Sequence, residues 1–179
     1  MKFRFIAIII GILLLGGCSS VSNSSNNNST SSNQSDSSPV KVIKDLHEEA
    51  YKQDFDAFKK FFVLAGSDKV SDSEKEDQEI KQWMEALAIS THSMGGTNKV
   101  KFREIPRKEV SAPESLDKKF KNGWAVVSSS YDFDYKNERV KLTHIWVLKK
   151  VEEKYYIQEI KTPKDILLNY EDYEETFPK

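Results

Sequence analysis

WAVVSSSYDFDYKNERVKLTHIWVLKKVEEKYYIQEIK, residues 124–161, alternates apolar and polar side chains almost without interruption. A period of two marks strands with one buried face. Trp124 to Tyr135 reads as one long strand, Arg139 to Lys150 as the next and Lys154 to Lys161 as the last. The breaks at Lys136-Asn137-Glu138 and Val151-Glu152-Glu153 are short enough for hairpins, so the three strands form an antiparallel meander. Upstream, Lys99 to Ile105 reads as a first strand ended by Pro106, with a resumption near Val110 left open and Pro113 to Asn122 as a connection.

Before Gly96 the period is helical. Pro39 suits the first position of a helix, where its missing N–H would be unpaired anyway, and Ser38 can cap it. Val40, Ile43, Leu46, Ala50 and Tyr51 then form one apolar stripe. Asp54 reads as the cap of a short second helix whose buried side is Phe55, Phe58, Phe61 and Phe62. A polar loop, Gly66 to Asp77, leads to a third helix carrying Ile80, Trp83, Met84, Leu87 and Ala88, stopped by Gly95-Gly96. Pro163 to about Thr176 suits either a last helix or an irregular tail. Three helices and then an antiparallel sheet is an α+β order, with the helices packed on one sheet face.

Ser38-Pro39-Val40 at the first helix, Lys52-Gln53-Asp54-Phe55-Asp56-Ala57-Phe58 at the second, and Tyr155-Tyr156-Ile157-Gln158-Glu159-Ile160 in the last strand look like small exported bacterial lipoproteins. Those proteins carry a cystatin-like or NTF2-like domain, largely of unassigned function. The resemblance covers most of Pro39 to Lys161 and implies a curved sheet and helices enclosing a cone, which in some relatives is a ligand pocket or an active site.

The first stretch has the parts of an export signal: Lys2 and Arg4, an apolar run from Phe5 to Leu15, and small residues before Cys18, the chain's one cysteine. A membrane-crossing helix needs about 20 apolar residues, more than this run holds. An ordinary secretory signal shares the charge and apolar pattern; the cysteine separates the two. Leu15-Gly16-Gly17-Cys18 resembles a lipobox, which implies a diacylglycerol on the Cys18 sulfur, cleavage before it, and removal of residues 1–17. Two acyl chains hold a protein at a bilayer where one holds only reversibly. Residues 19–38 are almost wholly serine and asparagine, too polar to offset the entropy of ordering, so with Cys18 they form a tether before one domain, 39–179. As a flexible coil the tether spans roughly 25 Å on average. Together these place the domain at the outer face of a cell membrane, in a Gram-positive type of envelope.

Residues 1–17 take two of the 27 basic side chains and none of the 28 acidic ones, leaving a net charge near −3. No basic cluster is left to neutralise a phosphate backbone, which argues against a nucleic-acid partner. After lipidation no thiol remains for a disulfide or a cysteine metal site. His47, His92 and His144 show no metal-ligand spacing, the glycine pair lacks a phosphate-loop context, and no cofactor or metal is implied. Two weak catalytic candidates remain. His144 stands in the apolar row Val140, Leu142, Trp146 and Leu148, where it is either a general base in a pocket or a hydrogen-bonded core histidine. Asp132 shares a strand face with Asp134, opposite Tyr131 and Phe133, and serves either acid–base work or a solvated face. Three functions follow: a non-catalytic, membrane-tethered accessory domain facing a cell-surface protein, a small pocket enzyme using His144 and Asp132, or a carrier of a small apolar ligand.

Overall fold

Ser38 caps the first helix as its neighbour Pro39 requires, its Oγ accepting from the Lys41 amide at 3.3 Å. The protein is described here by a computed structural model covering residues 38–63, 74–135 and 138–173. The signal-like stretch, Cys18 and the tether lie outside the described residues. Helix α1 (Pro39–Lys52) buries Ile43, Leu46 and Ala50 completely, and with them His47. Tyr51, expected on the same stripe, is exposed because it sits at the end of the helix and stacks on His92 with ring centroids 4.2 Å apart. Gln53, in the left-handed region at φ 59°, turns the chain. Asp54 then caps α2 (Phe55–Lys59) by accepting from the Ala57 amide at 3.0 Å.

The second helix is shorter than its phenylalanines suggest. After Lys59 the chain leaves the helix, and Phe62 forms a parallel bridge with Ile157 of the last strand. The Ile157 amide donates to the Phe61 carbonyl at 2.7 Å and the Val63 amide to the Ile157 carbonyl at 3.3 Å. An edge strand leaves its outward amides and carbonyls unpaired, and this segment satisfies one residue of that row. Helix α3 (Glu74–Ser93) starts three residues before the expected end of the loop at Asp77, with Glu74, Glu76 and Asp77 in its first turn. Carboxylates there complement the positive end of the helix dipole. At its other end Gly95 and Gly96 take φ of 82° and 133°, and the Gly96 amide returns to the Thr91 carbonyl at 2.9 Å.

The four strands β1 (Lys101–Glu104), β2 (Trp124–Tyr135), β3 (Glu138–Val151) and β4 (Lys154–Lys161) form one antiparallel sheet in the order β1-β2-β3-β4. Val127 stands opposite Trp146, Ser129 opposite His144 and Tyr131 opposite Leu142, so these six share a face. Helices α1 to α3 cover that face. Its core joins Ile43, Leu46, Phe58, Met84 and Leu87 to Tyr131, Trp146 and Leu148.

The helices were expected on one sheet face only, and half of the other face carries a cover of its own. The 113–122 connection holds a helix, α4 (Pro113–Lys119), and the C-terminal segment makes one turn, α5 (Pro163–Ile166), and a 3-10 turn (Tyr170–Tyr173) rather than a long helix. Val110 does not resume the first strand; it bridges Leu167. These pieces bring Phe120, Ile166 and Leu167 against Val126, Ile145 and Val147, a second core on the outer face. The reason is the sequence of that face: Val126, Ile145 and Val147 are apolar at one end, whereas Asp132 and Asp134 are exposed at the other. The architecture is thus α+β, with helices on an antiparallel sheet as expected and a smaller cover on the reverse side. No described helix is long and apolar enough to cross a membrane.

Candidate functional site

Two places gather polar chemistry, one in each core. On the inner face α1 presents His47 to β2 and β3. The Tyr131 hydroxyl lies 3.2 Å from both ring nitrogens of His47, and the Trp146 indole N–H donates to Ser129 Oγ at 2.8 Å. His47 also meets the ring of Phe102 edge to face, at 5.1 Å between centroids. His144 sits beside this set, ringed by Trp83, Tyr131 and Trp146 at centroid distances of 5.5, 5.4 and 6.0 Å. It is half-buried as a residue, yet its Nδ1 is enclosed and meets no hydrogen-bond partner among the described residues.

Burial sets the protonation of all three groups. Loss of water pushes His47 down to about 3, helped by the neighbouring His144, and pushes His144 down to about 4. The same burial raises the Tyr131 phenol far above its ordinary value, against the hydrogen bond from Ser129. Both imidazoles are therefore neutral near pH 7, and the phenol keeps its proton. A neutral imidazole can accept the Tyr131 proton in a hydrogen bond. Deprotonating a substrate would require that substrate to reach a ring nitrogen, and His47 is fully buried while the Nδ1 of the half-buried His144 is enclosed.

Asp132 is not part of this set. Its strand partner is Lys141, so it points to the opposite sheet face from His144. There Arg139 grips it with two bonds, Nε at 2.6 Å and Nη2 at 2.7 Å, and these hold its carboxyl below the usual range. The structure thus separates the two residues that sequence singled out for catalysis by the thickness of the sheet. His92 Nδ1 donates to the Ala88 carbonyl at 2.8 Å, and its ring faces Tyr51.

The second place lies on the outer face, where the β1–α4 connection passes the start of β2. A half-open groove of about 340 Å³ runs between Glu104, Arg107, Asp117, Lys121 and Trp124, with Phe120 and Val126 among the residues beneath. Its wall is fixed by one carboxylate. Arg107 Nη1 donates to Asp117 Oδ1 at 2.7 Å, Nη2 bonds Oδ2, and the Trp124 indole N–H donates to Oδ1 at 2.9 Å. The guanidinium also lies over the Trp124 ring, 5.4 Å from its centroid. Arg107, and then Trp124, draw Asp117 down to about 2. Gly123 enters β2 at φ 106°, a value that side chains other than glycine rarely adopt.

The sequence reading missed this groove and missed His47. His47 had a usable signal, because it lies one residue beyond Leu46 and three before Ala50 on the stripe of α1. Arg107 and Asp117 had none. They lie ten residues apart on a segment without periodicity, and only the turn at Pro106 and the helix α4 bring them together. Among the described residues no cluster of three or more histidine, cysteine or acidic side chains could hold a metal.

No protein-family model matches the chain, and no curated protein does. A solved structure, that of an NTF-2 like protein of unknown function from Shewanella oneidensis MR-1, is similar over 68% of this chain and 92% of that one, at 16% identity and a TM-score of 0.33. A superposition at that level carries no argument about the site, and the α+β class rests on the elements described above.

Proposed function

We infer that the protein is a non-catalytic binding domain held at the extracellular face of a bacterial cell membrane by a diacylglycerol on Cys18. The observation that supports the non-catalytic part is the separation of the polar groups. Both imidazoles of the inner core are walled in by aromatic rings, and the one carboxylate proposed beside them, Asp132, is across the sheet in an exposed ion pair with Arg139. What supports the binding part is the groove on the outer face, which has a ligand-sized volume and convergent polar groups. The anchoring part rests on Lys2, Arg4, the apolar run and the position of Cys18 before a serine and asparagine tract. It fits a Gram-positive type of envelope.

Anchoring is tested by Cys18→Ser. The expected result is loss of labelling by a radioactive or clickable fatty acid, with the domain released or its precursor left uncut; equal labelling of the variant and the parent would refute it. One observation favours a second reading, a small-ligand domain of NTF2-like type: the enclosed Nδ1 of His144 has no polar partner among the described residues. A small molecule that shifts the His144 ring resonances and protects Trp83 from quenching would support it.

A further inference from the structure

The outer groove rests on the reading of this domain as a binding module, and its chemistry narrows the ligand. Four charged side chains line it, two acidic, Glu104 and Asp117, and two basic, Arg107 and Lys121. An anion drawn by Lys121 meets two carboxylates, and a cation drawn by Glu104 meets a guanidinium and an ammonium. The groove therefore offers no net field to a simple ion. It offers instead donors and acceptors side by side around the half-buried Trp124 ring, with Ile105, Phe120 and Val126 buried behind it.

A hydroxyl both donates and accepts, and a ring bearing several of them needs such a mixed rim. The same ring has C–H faces that lose little by leaving water and that pack on aromatic and aliphatic carbon. The Arg107, Asp117 and Trp124 wall is already bonded to itself, so little ordering cost remains when a ligand arrives. Glu104 and Lys121 carry no ion pair among the described residues, and Arg107 uses two of its five N–H groups on Asp117. These are the groups left to meet hydroxyls.

We propose that the groove lined by Glu104, Arg107, Asp117, Lys121 and Trp124 binds a neutral carbohydrate chain, with one sugar ring against the exposed part of Trp124 and hydroxyls on its mixed-charge rim. The volume, about 340 Å³, falls at the lower end of ligand pockets and its half-open form admits a chain that continues beyond it.

The test is isothermal titration of the whole purified protein with a panel of neutral tetrasaccharides built from glucose, galactose, mannose and N-acetylglucosamine, and with tripolyphosphate and trilysine as charged probes. The expected result is binding of at least one neutral saccharide, unchanged when salt rises from about 0.05 to 0.5 M. Trp124→Ala and Glu104→Gln each weaken it by about tenfold or more. Glu104 is exposed, so Glu104→Gln keeps the fold and carries the test if Trp124→Ala does not fold. The proposal is overturned if no neutral saccharide binds at about 10 mM, or if binding ignores both Glu104→Gln and Lys121→Ala. Salt-sensitive binding of tripolyphosphate alone, lost in Lys121→Ala, overturns the carbohydrate and leaves a binding module. Silence from every probe counts against both, while the Cys18 labelling reports separately on the anchor.

Discussion

Lowering the pH from 7 to 5 should destabilise this fold before Asp117 and Asp132, the carboxylates held below their ordinary range, lose their charge. His47 and His144 stay neutral in the folded chain down to about 3 and about 4, whereas the unfolded chain protonates both near 6.5. Between those values the unfolded state binds more protons, so stability rises with pH. The contribution is complete above about 6.5, falls as the pH drops, and is gone once the pH passes below the folded values. Each imidazole costs about 1.4 kcal/mol per pH unit in that window. From pH 7 to pH 5 the pair removes about 4 kcal/mol, a large part of the roughly 5–15 kcal/mol that holds an ordinary domain together. The carboxylates that the fold pulls low, Asp117 and Asp132, are ionised throughout this range and add nothing to the slope. Urea unfolding at pH 7, 6 and 5, followed by tryptophan fluorescence, reads the effect as a falling midpoint at constant m. His144→Gln should reduce the slope by about half, because one titrating group is left. A midpoint that does not move between pH 7 and pH 5, or a His144→Gln slope equal to that of the parent, would refute the reasoning.

Two further changes probe the same framework. Tyr131→Phe removes the hydroxyl that faces both nitrogens of His47 and leaves a buried imidazole unpaired, which should cost about 1–3 kcal/mol in the urea midpoint. Gly96→Ala forces a side chain into φ 133° with its Cβ 3.2 Å from Asn98 Oδ1, and differential scanning calorimetry should show a fall of at least about 1 kcal/mol in stability.

The inner half of the molecule was legible because its residues obey a period. Trp124 to Tyr135 and Lys154 to Lys161 begin and end where alternation begins and ends. Ile43, Leu46 and Ala50 on α1, and Ile80, Met84 and Leu87 on α3, are buried at helical spacing. The outer half was not legible, since its core is assembled from Ile105, Val110, Phe120, Ile166 and Leu167, single residues on unrelated segments. Helix α4 carries a single large apolar residue, Leu116, so no stripe announced it. Phe61 and Phe62 misled for a different reason. Their spacing from Phe58 is helical, but pairing with the edge of β4 outweighed that local preference.

The Val110 to Leu167 bridge also fixes when the molecule can be finished. The Ser111 amide reaches the Ile166 carbonyl at 2.8 Å and the Leu168 amide reaches the Glu109 carbonyl at 2.9 Å, across a separation of more than fifty residues. Until Ile166 and Leu167 dock, part of the cover over Val126, Ile145 and Val147 is missing. Closure of such distant contacts is slow relative to local ones. The outer core therefore waits on a long-range contact, whereas the hairpins beneath it need only local ones.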